Sequence, residues 1–293
     1  MPRATANGIE IEYEVIGDEA GSPLLLVMGL GAQLVAWDEE FCDLLARRGF
    51  RVVRFDNRDV GLSSKVDGPL PDILACLQGD ASSANYTLHD MADDAAGLLD
   101  VLGIERAHVV GASMGGMIAQ TLAIRHPDRV LTLCSIMSTT GDRSVGQPTP
   151  EAMQELLRPV SQTRDDYIEM SVNASRVIGS PGFAFDEERA RARAARAWDR
   201  CYHPMGVARQ LAAIMASGDR TGLLADVRVP ALVVHGDGDP LVTPSGGEAT
   251  ARAIPGAELL VIEGMGHDLP PPVWPQVVDA IAQNASKVKE TVQ

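Results

Sequence analysis

The sequence is short of positive charge, and this narrows the range of partners. Its 293 residues carry 25 Lys and Arg against 40 Asp and Glu, which gives a formal net charge of −15. Binding to a phosphate backbone needs clustered Lys and Arg, so this balance argues against a nucleic-acid partner and against an anionic membrane surface. A neutral or weakly polar small molecule is the partner that we expect.

Long apolar segments and paired cysteines are also absent. No uninterrupted apolar run approaches the ~18 residues of a membrane span, so the sequence predicts none. The opening stretch, MPRATANGIEIEYE, has no apolar segment of the kind found in secretory signals. The cysteines lie far apart without C-x-x-C spacing, which is typical of reduced thiols rather than of a metal or redox site. We therefore expect a cytoplasmic protein with four buried thiols, Cys42, Cys76, Cys134 and Cys201.

Apolar runs alternate with helix-like segments along most of the chain. Residues 24–28 (LLLVM) and 231–236 (ALVVHG) are typical of strands buried on both faces. Residues 9–16 alternate Ile and Glu, which predicts an antiparallel edge strand, and residues 66–85 are predicted to be loop. The alternation predicts a mostly parallel sheet with helices on both faces, in which ligands bind at the carboxyl ends of the strands.

The alternation is interrupted between about Ser138 and Asp226, where helix-like segments follow one another without a strand. We predict a core domain formed by residues 1–138 and 225–293, with an all-helical insertion at 139–224 that caps the cleft. The arginine-rich stretch at 186–200 is predicted to be a solvated helix face. Four large side chains are candidates for lining the cleft, although ordinary core positions would suit them equally: Met137, Met153, Trp198 and Met215.

A serine surrounded by small residues follows one of the predicted strands. The stretch Gly111-Ala-Ser113-Met-Gly115 fits the pattern G-x-S-x-G between a strand and a helix. Small neighbours permit a sharp turn that exposes the serine at the sheet edge, near a helix N-terminus that favours developing negative charge. Gly116 is expected to allow close packing of helix and sheet. The alternative is a tight turn with an incidental serine.

A serine needs a base to become nucleophilic near neutral pH, and His267 is the best candidate. It lies in the glycine-rich sequence GMGHDLP, in a loop between a predicted strand and a helix, at the expected edge of the sheet. The remaining histidines are predicted to be surface or core residues: His89, His108, His126, His203 and His235.

A carboxylate should orient the histidine and stabilise its charged form. The stretch HGDGDPLV follows a strand and offers Asp237 and Asp239. Asp239 lies further into the loop and is the preferred residue, whereas Asp237 is expected to shape the turn. Asp142 is a third, more distant alternative.

The backbone N–H groups of Met114 and Leu30 are the predicted oxyanion donors. One donor should come from the residue after the nucleophile and the other from the loop after the LLLVM strand. Gly29 and Gly31 would let that loop approach the substrate, although they also suit an ordinary turn between a strand and a helix.

Together, the stretches LLLVMGLG, DNRDVGLS, VVGASMGG, HGDGDPLVTP and GMGHDLP make the sequence resemble the α/β-hydrolase superfamily over nearly its whole length. Many members have His where this chain has Met28, and many have D-x-R-G-x-G where it has Asp-Asn-Arg-Asp-Val-Gly. With the GMGH loop, these departures are similar to the branch that contains the aclacinomycin methylesterases. Dehalogenases and epoxide hydrolases of this fold use Asp at the position of Ser113, so the resemblance does not extend to their chemistry.

The sequence thus predicts a cofactor-free, metal-free serine hydrolase that cleaves a small carboxylic ester. Ser113 would attack, His267 would take its proton and Asp239 would hold His267. A lactonase, a carbon–carbon bond hydrolase, an acyltransferase and a perhydrolase share this triad and stay open as alternatives. A non-catalytic ligand receptor on the same scaffold is the alternative from a different class.

Overall fold

The structure, a computed structural model, describes residues 2–288 and contains one eight-stranded sheet. The strand order is β1-β2-β4-β3-β5-β6-β7-β8. Strand β2 pairs antiparallel with both β1 and β4, and all other neighbours are parallel. The strands are β1 (Arg3–Ala6), β2 (Ile9–Ile16), β3 (Ser22–Val27), β4 (Phe50–Phe55), β5 (Ala107–Ala112), β6 (Val130–Ile136), β7 (Ala231–Gly236) and β8 (Glu258–Ile262).

Helices cover both faces of this sheet. Because side chains alternate along a strand, Leu24 and Leu26 of β3 face one buried cluster while Leu25 and Val27 face the other. The α-helices are α1 (Glu39–Arg47), α2 (Ile73–Leu77), α3 (Leu88–Val101), α4 (Met114–Arg125), α5 (Pro150–Leu156), α6 (Arg164–Ile178), α7 (Glu187–Arg200), α8 (Pro204–Ser217), α9 (Thr221–Leu224), α10 (Pro244–Ala253) and α11 (Trp274–Ala285). The first cluster includes side chains of α1 and α11, and the second includes those of α3 and α4.

The predicted α/β-hydrolase architecture is confirmed, but two local predictions are wrong. Residues 9–16 do not form the edge of the sheet, because β1 pairs along their outer side with Ala4 opposite Ile11. Residues 66–85 are not all loop, because they contain the short helix α2. Asp72 caps this helix by accepting a hydrogen bond from the Ala75 N–H (3.0 Å). Both elements are too short to show a clear periodicity in the sequence.

Helices α5 to α9 fill the chain between β6 and β7, and no strand occurs there among the described residues. The division into a core at 1–138 and 225–293 and a cap at 139–224 stays a prediction. The arginines of α7 are partly solvated, as expected, but they also form ion pairs with the N-cap residue and the first turn of α1. Arg193 contacts Asp38 (3.2 Å) and Arg196 contacts Glu39 (2.7 Å).

Three of the four predicted buried thiols, Cys42, Cys76 and Cys134, are buried. The prediction is wrong for Cys201, which is half-buried because it lies beside a cavity at the end of α7. Within residues 2–288, no helix is long and apolar enough to cross a membrane.

Gly115→Ala is expected to lower the free energy of unfolding by roughly 3 kcal/mol, since overpacking a filled site forces backbone shifts. A methyl group at Gly115 would overlap the carbonyl of Val27, where α4 crosses β3. Gly222 in α9 is the matched control, because a methyl group there meets no atom within 4 Å. Urea unfolding of both variants checks this, and equal midpoints would contradict the close approach of α4.

Candidate active site

Ser113 lies in a strained turn between β5 and α4. Its φ of 56° and ψ of −121° lie outside the regions that L-residues favour. The turn is fixed on both sides: the Ser113 N–H donates to the Ile136 carbonyl (2.9 Å) and the Ser138 hydroxyl donates to the Ser113 carbonyl (2.8 Å). A methyl group on Gly111 would overlap the Gly115 carbonyl, so this sharp turn requires glycine there, as the sequence predicts.

His267 lies between Ser113 and Asp239. Its Nε2 is 2.9 Å from the Ser113 Oγ, and its Nδ1 is 2.8 Å from the Asp239 Oδ2. The three side chains that sequence reasoning selected therefore form one continuous hydrogen-bonded chain. They come from three separate loops at the carboxyl ends of β5, β7 and β8.

Asp239 is buried, and two kinds of contact fix the direction of its carboxylate. Its Oδ1 accepts hydrogen bonds from the N–H groups of Leu241 and Val242, both at 2.9 Å, which leaves Oδ2 for His267. The alternative carboxylate, Asp237, accepts the Gly264 N–H (2.6 Å) and so joins the two loops without touching the histidine.

The third alternative, Asp142, accepts hydrogen bonds from the N–H and hydroxyl of Ser144, and these bonds lower the pKa of its carboxyl. It makes no contact with His267.

His235 is buried behind Asp239, a placement that sequence reasoning missed. Its Nε2 donates to the Val242 carbonyl (2.7 Å) and lies 3.6 Å from the Asp239 Oδ2, and burial lowers its pKa. It therefore packs as a neutral side chain beneath the acid loop.

The other histidines lie away from Ser113. His108 is buried against Thr132, and burial lowers its pKa to about 4. His126 pairs with Asp93, His203 lies 3.7 Å from Asp59, and His89 is in the first turn of α3.

The loop after β3 lies directly beside the serine. A Cβ on Gly29 would lie 3.1 Å from the Cβ of Ser113, so only glycine allows this approach without displacement. The Asn57 side chain donates to the Met28 carbonyl (2.9 Å), and the Gln210 side chain of α8 accepts the Gly31 N–H (2.8 Å).

The two predicted oxyanion donors differ in their surroundings. Leu30 lines the cavity beside Ser113, and Met114 is fully buried at the N-terminus of α4. The N–H groups of both residues have no acceptor within residues 2–288. Their role as oxyanion donors stays a prediction.

A cavity of about 530 Å³ opens above Ser113 and His267. This volume falls within the range of small-molecule sites. Its wall is largely apolar and includes Trp37, Phe41, Met137, Leu241 and Trp274.

Of the four predicted lining residues, only Met137 faces this cavity. Met153, Trp198 and Met215 do not line it, which leaves for them the alternative of ordinary packing positions. Trp198 instead stacks on Tyr202, with ring centroids 4.2 Å apart, and also contacts the ring of Tyr167 in α6. Among the described residues, no group of three or more His, Cys, Asp or Glu could hold a metal ion.

Comparisons with known proteins identify the family of this chain. Residues 22–270 match the profile of the family described as the alpha/beta hydrolase fold. The chain belongs to this family. It is 31% identical to rhodomycin D methylesterase of Streptomyces sp. (strain C5) over 298 aligned positions, which cover 94% of this chain and 95% of that one.

Two further relatives show the range of the family. The chain is 31% identical, over 86% of its length and 81% of the relative's, to the 2-hydroxy-6-oxononadienedioate/2-hydroxy-6-oxononatrienedioate hydrolase of Burkholderia vietnamiensis. Among solved structures it is similar to an enol-lactonase from Burkholderia xenovorans LB400. The TM-score is 0.75 at 27% identity, and the match covers 98% of this chain and 100% of that one. The chain is thus a hydrolase of the α/β family with methylesterase-like relatives.

Proposed function

We propose that this protein is a serine esterase that cleaves a carboxylic ester, with a methyl ester of a bulky apolar acid as the favoured class. The observation that carries the proposal is the hydrogen-bonded chain from Ser113 through His267 to Asp239. The methylesterase relative and the largely apolar cavity beside the serine support the substrate class. The proposed partner is therefore a neutral small molecule, and a cytoplasmic location stays a prediction.

The proposed reaction begins when the Ser113 Oγ attacks the ester carbonyl carbon and the His267 Nε2 takes the hydroxyl proton. Asp239 stabilises the resulting imidazolium through Nδ1. The carbonyl oxygen becomes an oxyanion, which would accept hydrogen bonds from the N–H groups of Leu30 and Met114. When the intermediate collapses, His267 gives its proton to the departing alkoxide and acyl-Ser113 remains.

Water completes the proposed cycle. His267 takes a proton from a water molecule, whose oxygen attacks the acyl carbon and forms a second oxyanion at the same position. Collapse of this intermediate breaks the bond to the Ser113 Oγ, which receives its proton back from His267. The products are one carboxylic acid and one alcohol, and no cofactor is consumed.

The test is turnover of matched ester pairs by the purified protein. We expect hydrolysis of p-nitrophenyl acetate, and release of methanol from methyl 2-naphthoate at a higher kcat/KM than the release of butanol from its butyl ester. Methanol is quantified directly, so non-specific loss of the ester is not counted. A protein that labels at Ser113 but hydrolyses no ester would contradict the proposal.

A lactonase is the second candidate, favoured by the structural similarity to an enol-lactonase. It uses the same steps, except that the alkoxide and the acid remain in one product. A kcat/KM for a γ- or δ-lactone well above that of the matched open-chain ester would favour this candidate. The carbon–carbon bond hydrolase also shares the triad, and the similarity to the 2-hydroxy-6-oxononadienedioate/2-hydroxy-6-oxononatrienedioate hydrolase of Burkholderia vietnamiensis supports it as a further alternative. The acyltransferase and the perhydrolase share the triad as well.

A further inference from the structure

The backbone of the histidine loop is held by the residues at the end of α6, called here the 178–182 segment. The His267 N–H donates to the Ile178 carbonyl (2.7 Å), and the Gly266 N–H donates to the Ser180 Oγ (2.9 Å). Two consecutive peptide groups at the histidine therefore have their acceptors in the helical region between β6 and β7, and not in the sheet that carries the loop.

Glycines on both sides allow this close contact. The Gly182 N–H donates to the Gly264 carbonyl (2.9 Å), and a Cβ on Gly182 would lie 2.6 Å from the Gly264 Cα. A Cβ on Gly266 would likewise overlap the Gly179 carbonyl. The 178–182 segment and the histidine loop thus meet backbone against backbone, which leaves little freedom for relative displacement.

The sheet supports this loop only as far as Met265. The Met265 N–H donates to the Ile262 carbonyl (3.3 Å), and the Met265 carbonyl accepts the Gly238 N–H (3.0 Å). For Gly266 and His267, the backbone donors have their acceptors in the 178–182 segment. The position of the imidazole therefore depends on contacts outside the sheet.

Ser180 joins the residues on the two sides of His267. Its hydroxyl accepts from the Gly266 N–H and donates to the Asp268 Oδ1. Asp268 is half-buried, and its burial raises the pKa of its carboxyl, while the hydrogen bond from the Ser180 hydroxyl opposes that shift. Loss of the hydroxyl would remove the hydrogen-bond partner of the Gly266 N–H and of the Asp268 Oδ1, the residues directly before and after His267.

We propose that Ser180 is a positioning residue, whose hydroxyl fixes the backbone around His267 so that Nε2 stays within hydrogen-bond distance of the Ser113 Oγ. This inference rests on the proposed function, in which His267 is the base. Among the described residues, the Ser180 hydroxyl bonds to Gly266 and Asp268 and not to Ser113 or the imidazole, so it would act on the reaction through the geometry of the loop. A displacement of about 1 Å in such a pair lowers a rate by on the order of 10²-fold.

The test compares Ser180→Ala with Ser180→Thr, which keeps the hydroxyl. For p-nitrophenyl acetate, we expect Ser180→Ala to lower kcat about 10- to 100-fold while KM changes less than about threefold, since the lost geometry matters mainly in the transition state. Ser180→Thr should stay within about threefold of the wild-type kcat. Ser175→Ala is the matched control and should be unchanged, because within the described part of the chain the Ser175 hydroxyl bonds only to the Ser171 carbonyl of the same helix.

A second readout separates this inference from the proposed function. The rate at which a fluorophosphonate labels Ser113 depends on the serine–histidine pair and needs no substrate, so it should fall in step with kcat. If Ser180→Ala does not fold, Ser180→Cys replaces it, because a thiol is a weaker donor. Its kcat should then lie clearly below that of Ser180→Thr. The inference would be overturned if Ser180→Ala kept the wild-type kcat and labelling rate, or if its KM rose while its kcat stayed unchanged. It would also be overturned if the kcat of Ser180→Thr were no higher than that of Ser180→Ala or Ser180→Cys.

Discussion

Ser113→Ala is expected to lower kcat for p-nitrophenyl acetate by about 10⁴- to 10⁶-fold, because it removes the group that would form the acyl intermediate. The ester should still bind, since the cavity wall and the predicted oxyanion donors are retained. The His267 Nε2 loses its partner at 2.9 Å, while its bond to Asp239 remains. Stopped-flow absorbance measures the change: the wild-type protein should show a burst of p-nitrophenolate, and the variant none.

Labelling with a fluorophosphonate provides the control for this prediction. The wild-type protein should gain one phosphonyl group on Ser113, and Ser113→Ala should gain none. Mass spectrometry of the digested protein locates the label. A label of equal stoichiometry on another residue of the variant would contradict the assignment of Ser113 as the nucleophile.

Asp239→Asn is expected to lower kcat by about 10³- to 10⁴-fold at neutral pH, because an amide neither stabilises an imidazolium nor holds the productive tautomer. The substitution preserves size, and the amide oxygen can still accept the N–H groups of Leu241 and Val242. The effect should therefore lie in catalysis and not in folding. Steady-state kinetics together with thermal unfolding separate the two.

Asp237→Asn is the matched control for this second prediction. Asp237 lies two residues earlier in the same loop and accepts the Gly264 N–H, so its replacement should alter kcat less than about tenfold. A larger loss in Asp237→Asn than in Asp239→Asn would show that the wrong carboxylate has been assigned.

The sequence predicts the parts of the site that depend on local patterns. A glycine-flanked serine after a strand, and a histidine and a carboxylate in loops after later strands, need only the rule that parallel strands end at one edge. The structure brings Ser113, His267 and Asp239 together at that edge. The strands that are buried on both faces are equally predictable, because each one is a continuous apolar run in the sequence.

The remaining features depend on packing between distant segments, which local periodicity does not encode. Trp198 turns towards Tyr202 instead of the cleft, and Cys201 is half-buried beside a cavity, because of how α7 docks. The hydrogen bond between the Gly266 N–H and the Ser180 Oγ joins residues 86 positions apart, and no local pattern in the sequence predicts it. The glycines at 179 and 182 are the one local hint, because glycine often occurs where two backbones come into close contact.

The backbone contact between the 178–182 segment and the histidine loop has a consequence for protein engineering. The helices between β6 and β7 line the cavity without supplying the proposed triad. Exchanging them between relatives is therefore an obvious way to change substrate specificity. A chimera cut at the ends of that region would exchange the acceptors of Gly266 and His267 along with the cavity wall. A chimera that is to preserve the contacts of His267, the proposed base, should therefore be cut within the region between β6 and β7, with residues 178–182 kept from this chain.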